Sequence, residues 1–105
     1  MAKTHLGGQD IEVDEDGYIQ EPEKWTRAVA EDLAKREHAF PMGEEHWLVI
    51  TFLREYYLTY EVAPPVRLLV KKTGLDLRTI YRLFPSGPAL GACKVAGLPR
   101  PTGCV

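Results

Sequence analysis

Two thiols, Cys93 and Cys104, fall within the last thirteen residues, Cys93-Lys94-Val95-Ala96-Gly97-Leu98-Pro99-Arg100-Pro101-Thr102-Gly103-Cys104-Val105. A cysteine pair in a small protein can ligate metal, cycle between dithiol and disulfide, or take up a group on one thiolate and release it with the other. Metal is disfavoured, because His5, His38 and His46 are scattered far upstream and no metal-ligand spacing connects them to the cysteines. A Cys-x-x-Cys motif is absent, which argues against a conventional small thiol-disulfide oxidoreductase. The spacing suits a resolving pair, in which one thiolate accepts a partner or a sulfur atom and the second attacks to release it. Lys94 and Arg100 favour thiolate formation by their charge, whereas the terminal carboxylate beside Cys104 opposes it. The competing account makes Cys93 a small buried helix residue and Cys104 an inert tail residue. An inert tail needs no particular composition, yet Pro99, Arg100, Pro101 and Gly103 stand directly before this thiol.

The flanking residues divide the two thiols between a platform and a tether. Pro88 near the start and Gly97 just past the end predict one or two helical turns that hold Cys93 in place, ordered and partly shielded. From Leu98 onward, Pro99 and Pro101 bias the residues before them to extended geometry, so an open arm without a packed face is expected over 98–105. Extended at about 3.1 Å per residue, the stretch from Gly97 to Cys104 reaches roughly 20 Å. Gly103 lets the tip turn and admits close approach by another backbone or a cofactor. Closing so short a loop is entropically cheap, so Cys104 could also fold back to Cys93.

Upstream, the sequence predicts a mainly α domain with a β-hairpin region over 1–21 and a helical core over 22–97. Gly7-Gly8 and Asp16-Gly17 supply turns between short β-tolerant stretches, giving a hairpin or a three-strand meander. The acidic turn at 14–17 lacks the spaced ligands of a calcium loop. A first helix is expected from Pro22 to about His38, with Trp25, Val29 and Leu33 on its buried face. A second runs from Glu44 to Tyr60, apolar nearly all round in its middle and touched on several sides. Two short helices follow, at 66–72 and from the N-cap Asp76 onward, the latter carrying Leu77, Ile80, Tyr81 and Phe84 inward. Joined by a glycine turn, they form a helix-turn-helix-like pattern with Arg78 and Arg82 exposed. That pattern is the basis for an alternative reading as a DNA-binding regulator with the cysteine pair as a redox switch. Against it, the second helix offers little beyond two arginines and a threonine to read base edges.

One domain fits the length of 105 residues. The N-terminal residues lack an apolar signal region and no long apolar stretch occurs, so a cytoplasmic protein is expected, where a cysteine pair is more often redox-active than structural. The formal charge of −2 hides a split, with six Lys/Arg against fourteen Asp/Glu through Val62 and seven against one afterwards. The basic back half implies an anionic partner or substrate, or neutralisation by the acidic front half of the same molecule.

The run Phe84-Pro85-Ser86-Gly87-Pro88, followed by Gly91-Ala92-Cys93 and the stretch through Val105, closely resembles the C-terminal signature of the DsrC/TusE family of sulfur-relay proteins. The runs Val13-Asp14-Glu15-Asp16-Gly17-Tyr18, Phe52-Leu53-Arg54-Glu55-Tyr56-Tyr57 and Ala63-Pro64-Pro65-Val66-Arg67 are also similar to it, so the resemblance covers nearly the whole chain. The possession of both Cys104 and Cys93 is the mark of its DsrC branch. The resemblance implies a carrier without its own cofactor, a co-substrate rather than an enzyme. Its arm would enter the sirohaem-bearing channel of the dissimilatory sulfite reductase α/β subunits, where Cys104 takes up a sulfite-derived sulfur and Cys93 completes a trisulfide. A membrane-associated thiol oxidoreductase complex would then restore the dithiol, and other sulfurtransferases are further partners the family implies. Members working in the oxidative direction often carry a short insertion before the Phe-Pro-x-Gly-Pro run. Here Arg82-Leu83 passes directly into Phe84, which favours the reductive direction. Lys94, Gly97, Pro99, Arg100, Pro101 and Gly103 are the expected supporting residues, with Lys94 and Arg100 assisting an anionic sulfur species or partner.

Overall fold

The structure, a computed structural model, describes residues 2–101. Two strands, β1 (Ala2–Leu6) and β2 (Gln9–Val13), pair antiparallel with Ala2 opposite Val13 and Leu6 opposite Gln9. Gly7 and Gly8 both take positive φ, the geometry of a tight hairpin turn whose twist matches that of the strands. Of the meander alternative, a lone bridge between Val13 and Ile19 is what forms.

The expected first helix is broken. A single 3₁₀ turn covers Pro22–Lys24, Trp25 is extended, and α1 spans Arg27–Arg36. The cause is Thr26, whose hydroxyl accepts a hydrogen bond from the Val29 amide at 3.1 Å and so caps α1 later than Pro22 suggested, by about a turn and a half. Freed from the helix, Trp25 reaches the other end of the chain. Val29, Ala30, Leu33 and Ala34 form the buried stripe of α1.

The second helix, α2 (Glu44–Tyr60), has the predicted bounds, but it is buried along one stripe through Val49, Ile50 and Leu53 while Leu48 and Leu58 remain exposed. The helix-turn-helix-like unit follows as α3 (Val66–Thr73) and α4 (Leu77–Leu83). Gly74, at φ +74°, ends α3, and the Asp76 carboxylate caps α4 by accepting from the Thr79 amide at 2.8 Å. Leu77 and Tyr81, expected inward, are 44% and 50% exposed. Ile80, Leu83 and Phe84 carry the packing instead, and the Tyr81 ring lies over Gly87, where an added Cβ would stand 2.9 Å from it.

The chain then makes a wide π-helical turn, Pro88–Ala92, and a short helix, α5 (Cys93–Val95). α5 packs on α1 and α2 in a core shared with the hairpin, including Leu6, Ile11, Val29, Ile50, Phe84 and Val95. The fold is therefore mainly α, with a small N-terminal hairpin. No helix among the described residues is long and apolar enough to cross a membrane.

Candidate functional site

The end of α5 is a closed cap. Gly97 takes φ +75°, its amide donates to the Lys94 carbonyl at 3.0 Å, and the Leu98 amide donates to the Cys93 carbonyl at 3.0 Å. This is a Schellman motif, which satisfies two of the carbonyls a helix leaves unpaired at its end. The next two are taken by side chains from elsewhere in the fold. The Trp25 indole N–H donates to the Val95 carbonyl at 3.0 Å, and the Arg54 guanidinium donates to the Ala96 carbonyl at 2.8 Å. Arg54 also stacks on the Trp25 ring, 3.9 Å from its centroid. An added Cβ at Gly97 would lie 2.3 Å from Trp25 Cδ1, so both the backbone and the indole require glycine there.

The cap draws Leu98 into the core, 3% exposed, so the packed chain runs one residue further than the prolines suggested. The hydrophobic contact that accompanies a Schellman motif explains the difference. Pro99 and Arg100 are exposed. Pro101 is the last residue described, and the residues expected to carry the tip and the second thiol, Gly103 and Cys104, lie outside the described residues.

Cys93 is more deeply held than the sequence suggests, at 1% exposure. Its Sγ lies 3.4 Å from the Pro88 carbonyl, to which the thiol donates. Burial pushes its pKa up to about 12, so the group is a protonated thiol at neutral pH. Lys94 does not reverse this. Its ammonium turns away to the Glu37 carboxylate at 3.1 Å, with the two side chains only 17% and 12% exposed, and sits 5.0 Å over the Tyr18 ring. Arg100 pairs with Asp16 across the start of the C-terminal segment. Both cations expected to assist an anionic species are thus neutralised by acids of the front half, the intramolecular outcome that the charge split allowed.

These pairs frame a cleft of about 240 Å³ lined by Asp16, Tyr18, Glu37, Ser86, Leu90, Lys94 and Arg100. Its back wall is Tyr18, whose hydroxyl donates to the Leu90 carbonyl at 3.0 Å. Burial raises the phenol's pKa to about 12, so it remains a donor through the physiological range. A smaller hollow, about 120 Å³, lies beneath Gly97 and Pro99 between Pro22 and Tyr57. Arg78 and Arg82 stand exposed on α4, and the site just described does not include them. No group of three or more His, Cys, Asp or Glu among the described residues could hold a metal.

Tyr18, Trp25 and Arg54 are the supporting residues that sequence reasoning missed. Trp25 directly before a capping threonine carried a legible signal, since that position leaves the helix. The contacts of Tyr18 and Arg54 bridge 72 and 42 residues and left no local pattern.

Fold and site together define a small helical domain that keeps one thiol, Cys93, buried at a capped helix end, in a chain whose second thiol, Cys104, follows later in the sequence. Comparison with known proteins gives the same class a family. The family model described as DsrC like protein matches residues 5–105, and the chain belongs to that family. It is 45% identical, over the whole of both chains, to the dissimilatory-type sulfite reductase subunit gamma of Nitratidesulfovibrio vulgaris. It is 41% identical to the sulfurtransferase TusE of Escherichia coli, across 93% of this chain and 95% of that one. Its structure matches the oxidized gamma-subunit (DsrC) of the dissimilatory sulfite reductase of Archaeoglobus fulgidus with a TM-score of 0.87 at 47% identity, covering 98% and 99% of the two chains.

Proposed function

We propose that the protein is a cytoplasmic sulfur carrier that acts as a stoichiometric co-substrate of dissimilatory sulfite reductase. Cys104 accepts the sulfite-derived sulfur at the reductase α/β subunits and Cys93 resolves it into a trisulfide. The balance is simple. Sulfite, two thiols, two electrons from the reductase's own donor and four protons give the trisulfide and three waters, the thiol pair supplying two further electrons. A membrane-associated thiol oxidoreductase complex then supplies the electrons that release the bridging sulfur as sulfide and restore both thiols. The observation that carries this reading is the pairing of a core-held thiol, Cys93, with a second thiol beyond Pro99 and Pro101, in a chain whose relatives include a sulfite reductase gamma subunit. The direct passage of α4 into Phe84 supports the reductive direction.

Incubation with sulfite, an electron donor and the reductase should add the mass of one sulfur less two hydrogens, with peptide mapping placing the bridge between Cys93 and Cys104. Cys104→Ala should abolish it. Uptake of the bridging sulfur by the Cys104→Ala protein would refute the assignment.

A further inference from the structure

Cys93 cannot react where it sits. At 1% exposure, with its thiol donating to the Pro88 carbonyl, it must be uncovered before it meets an incoming sulfur. The wide turn Pro88–Ala92 lies against the thiol, whose hydrogen bond ends on its first residue, Pro88. Both flanks of that turn are pinned. Upstream, His46 Nε2 hydrogen-bonds the Leu83 carbonyl at 3.1 Å and its ring meets Phe84 edge-on. Downstream, Lys94 is tied to Glu37, and Trp25 and Arg54 hold the Val95 and Ala96 carbonyls.

The turn itself is built to yield. Gly87 enters it at φ +94°, Gly91 lies within it without a side chain, and π-helical geometry is an uncommon conformation that concentrates at functional sites. Among the described residues, the side-chain hydrogen bond that reaches this turn from another element is that of Tyr18, whose hydroxyl donates to the Leu90 carbonyl at 3.0 Å. Charge on Cys93 disfavours ionisation of the Tyr18 phenol, which places the two groups within electrostatic reach of each other. Ser86 and Lys94, on either side of the turn, and Leu90 within it line the cleft that Tyr18 backs.

We infer that Tyr18 is a positioning residue that latches the Pro88–Ala92 turn over Cys93, and that release of its hydrogen bond to Leu90 opens the turn and presents the thiol to the 240 Å³ cleft. The inference rests on the carrier reading for its purpose, since it gives the resolving thiol a closed and an open state. The physical claim stands apart from the reductase. Apart from the thiol's own, the latch is the one side-chain hydrogen bond that ties the turn to another element among the described residues, so its release lets the turn move while α4 and the capped end of α5 stay folded.

The test uses the Cys104→Ser protein, in which Cys93 is the remaining thiol, and the rate at which a small methanethiosulfonate reagent modifies it under native conditions. Tyr18→Phe removes the hydroxyl and keeps the ring. It should raise that rate roughly five- to tenfold, the weight of one hydrogen bond in an opening equilibrium. Gly74→Ala, which strains the φ +74° end of α3 and touches neither the turn nor its flanks, supplies a comparable loss of global stability, read from the urea midpoint, and should leave the labelling rate within about twofold. An unchanged rate in Tyr18→Phe, or equal acceleration in the two variants at equal stability loss, overturns the latch. If Tyr18→Phe does not fold, amide exchange on the Cys104→Ser protein decides the matter. Weaker protection at Leu90–Cys93 than at Ile80 and Phe84 supports a separately opening turn, and equal protection overturns it. Loss of sulfur uptake in the reductase assay with the labelling result intact would remove the carrier reading and leave the latch standing.

Discussion

Gly97→Ala should be among the most damaging single-methyl additions in the molecule, and the structure says by how much. The residue sits at φ +75°, where a Cβ costs about 1–2 kcal/mol. The added carbon would also stand 2.3 Å from Trp25 Cδ1 and 2.9 Å from Cγ, so the indole must move. Its displacement forfeits the hydrogen bond to the Val95 carbonyl, about 1 kcal/mol net, and disturbs the Arg54 stack, about 0.5–1 kcal/mol. The sum is about 2.5–4 kcal/mol, a large part of the roughly 5–15 kcal/mol that holds a domain of this size. Gly8→Ala is the internal control. It has the same kind of backbone, φ +80°, but nothing within 4 Å of the added carbon, so it should cost about 1–2 kcal/mol from the backbone alone. Urea denaturation followed by tryptophan fluorescence reads both. The reasoning fails if Gly97→Ala costs no more than Gly8→Ala, because the indole would then not be what fixes the helix end.

Alkaline pH should destabilise the protein from about 9 toward 12, because Cys93 and Tyr18 both have folded pKa values raised to about 12 by burial and the unfolded chain releases those protons first. Stability is complete below the unfolded values and falls as pH rises, and Cys93→Ala should shallow the slope of the unfolding free energy, read from urea titrations, against pH by up to about 1.4 kcal/mol per unit. Arg78→Ala combined with Arg82→Ala, both exposed on α4, should leave sulfur uptake unchanged. A salt-sensitive gel shift that disappears in this double variant would instead revive the DNA-binding reading.

The parts of this fold that sequence reveals are those written in local chemistry. The Gly7-Gly8 hairpin, the bounds of α2, the Asp76 cap and the Gly97 stop each depend on residues within one or two turns of one another. The failures share a cause. The period through Pro22, Trp25, Val29 and Leu33 is apolar at helical spacing, but one threonine hydroxyl at Thr26 outweighs it and sends Trp25 to a carbonyl 70 residues away. Leu77 and Tyr81 carry helical periodicity too, yet α4 is only seven residues long and its core contact is satisfied by Ile80, Leu83 and Phe84. At the site, Cys93 and Gly97 are legible from the sequence. The depth of Cys93 is not, because the Schellman cap, Trp25 and Arg54 that create it meet only in three dimensions.

That depth changes the expected chemistry of the pair. Sequence places two cations beside the thiols and suggests that Lys94 activates its neighbour. In the fold, Lys94 is taken by Glu37 and the buried Cys93 is left as a weak acid. With a pKa near 12, only about one molecule in a hundred thousand carries a Cys93 thiolate at pH 7, before any cost of uncovering it is counted. A thiol so protected neither attacks stray disulfides nor oxidises readily, since both reactions run through an accessible thiolate. On the carrier reading this imposes an order. Cys104 must load first, because its partner is withheld, and resolution waits until the Pro88–Ala92 turn yields. Two freely exposed cysteines eleven residues apart would close on each other at the first encounter with an oxidant. On the carrier reading, the buried position of Cys93 would keep the pair reduced until a sulfur atom has been delivered to bridge it.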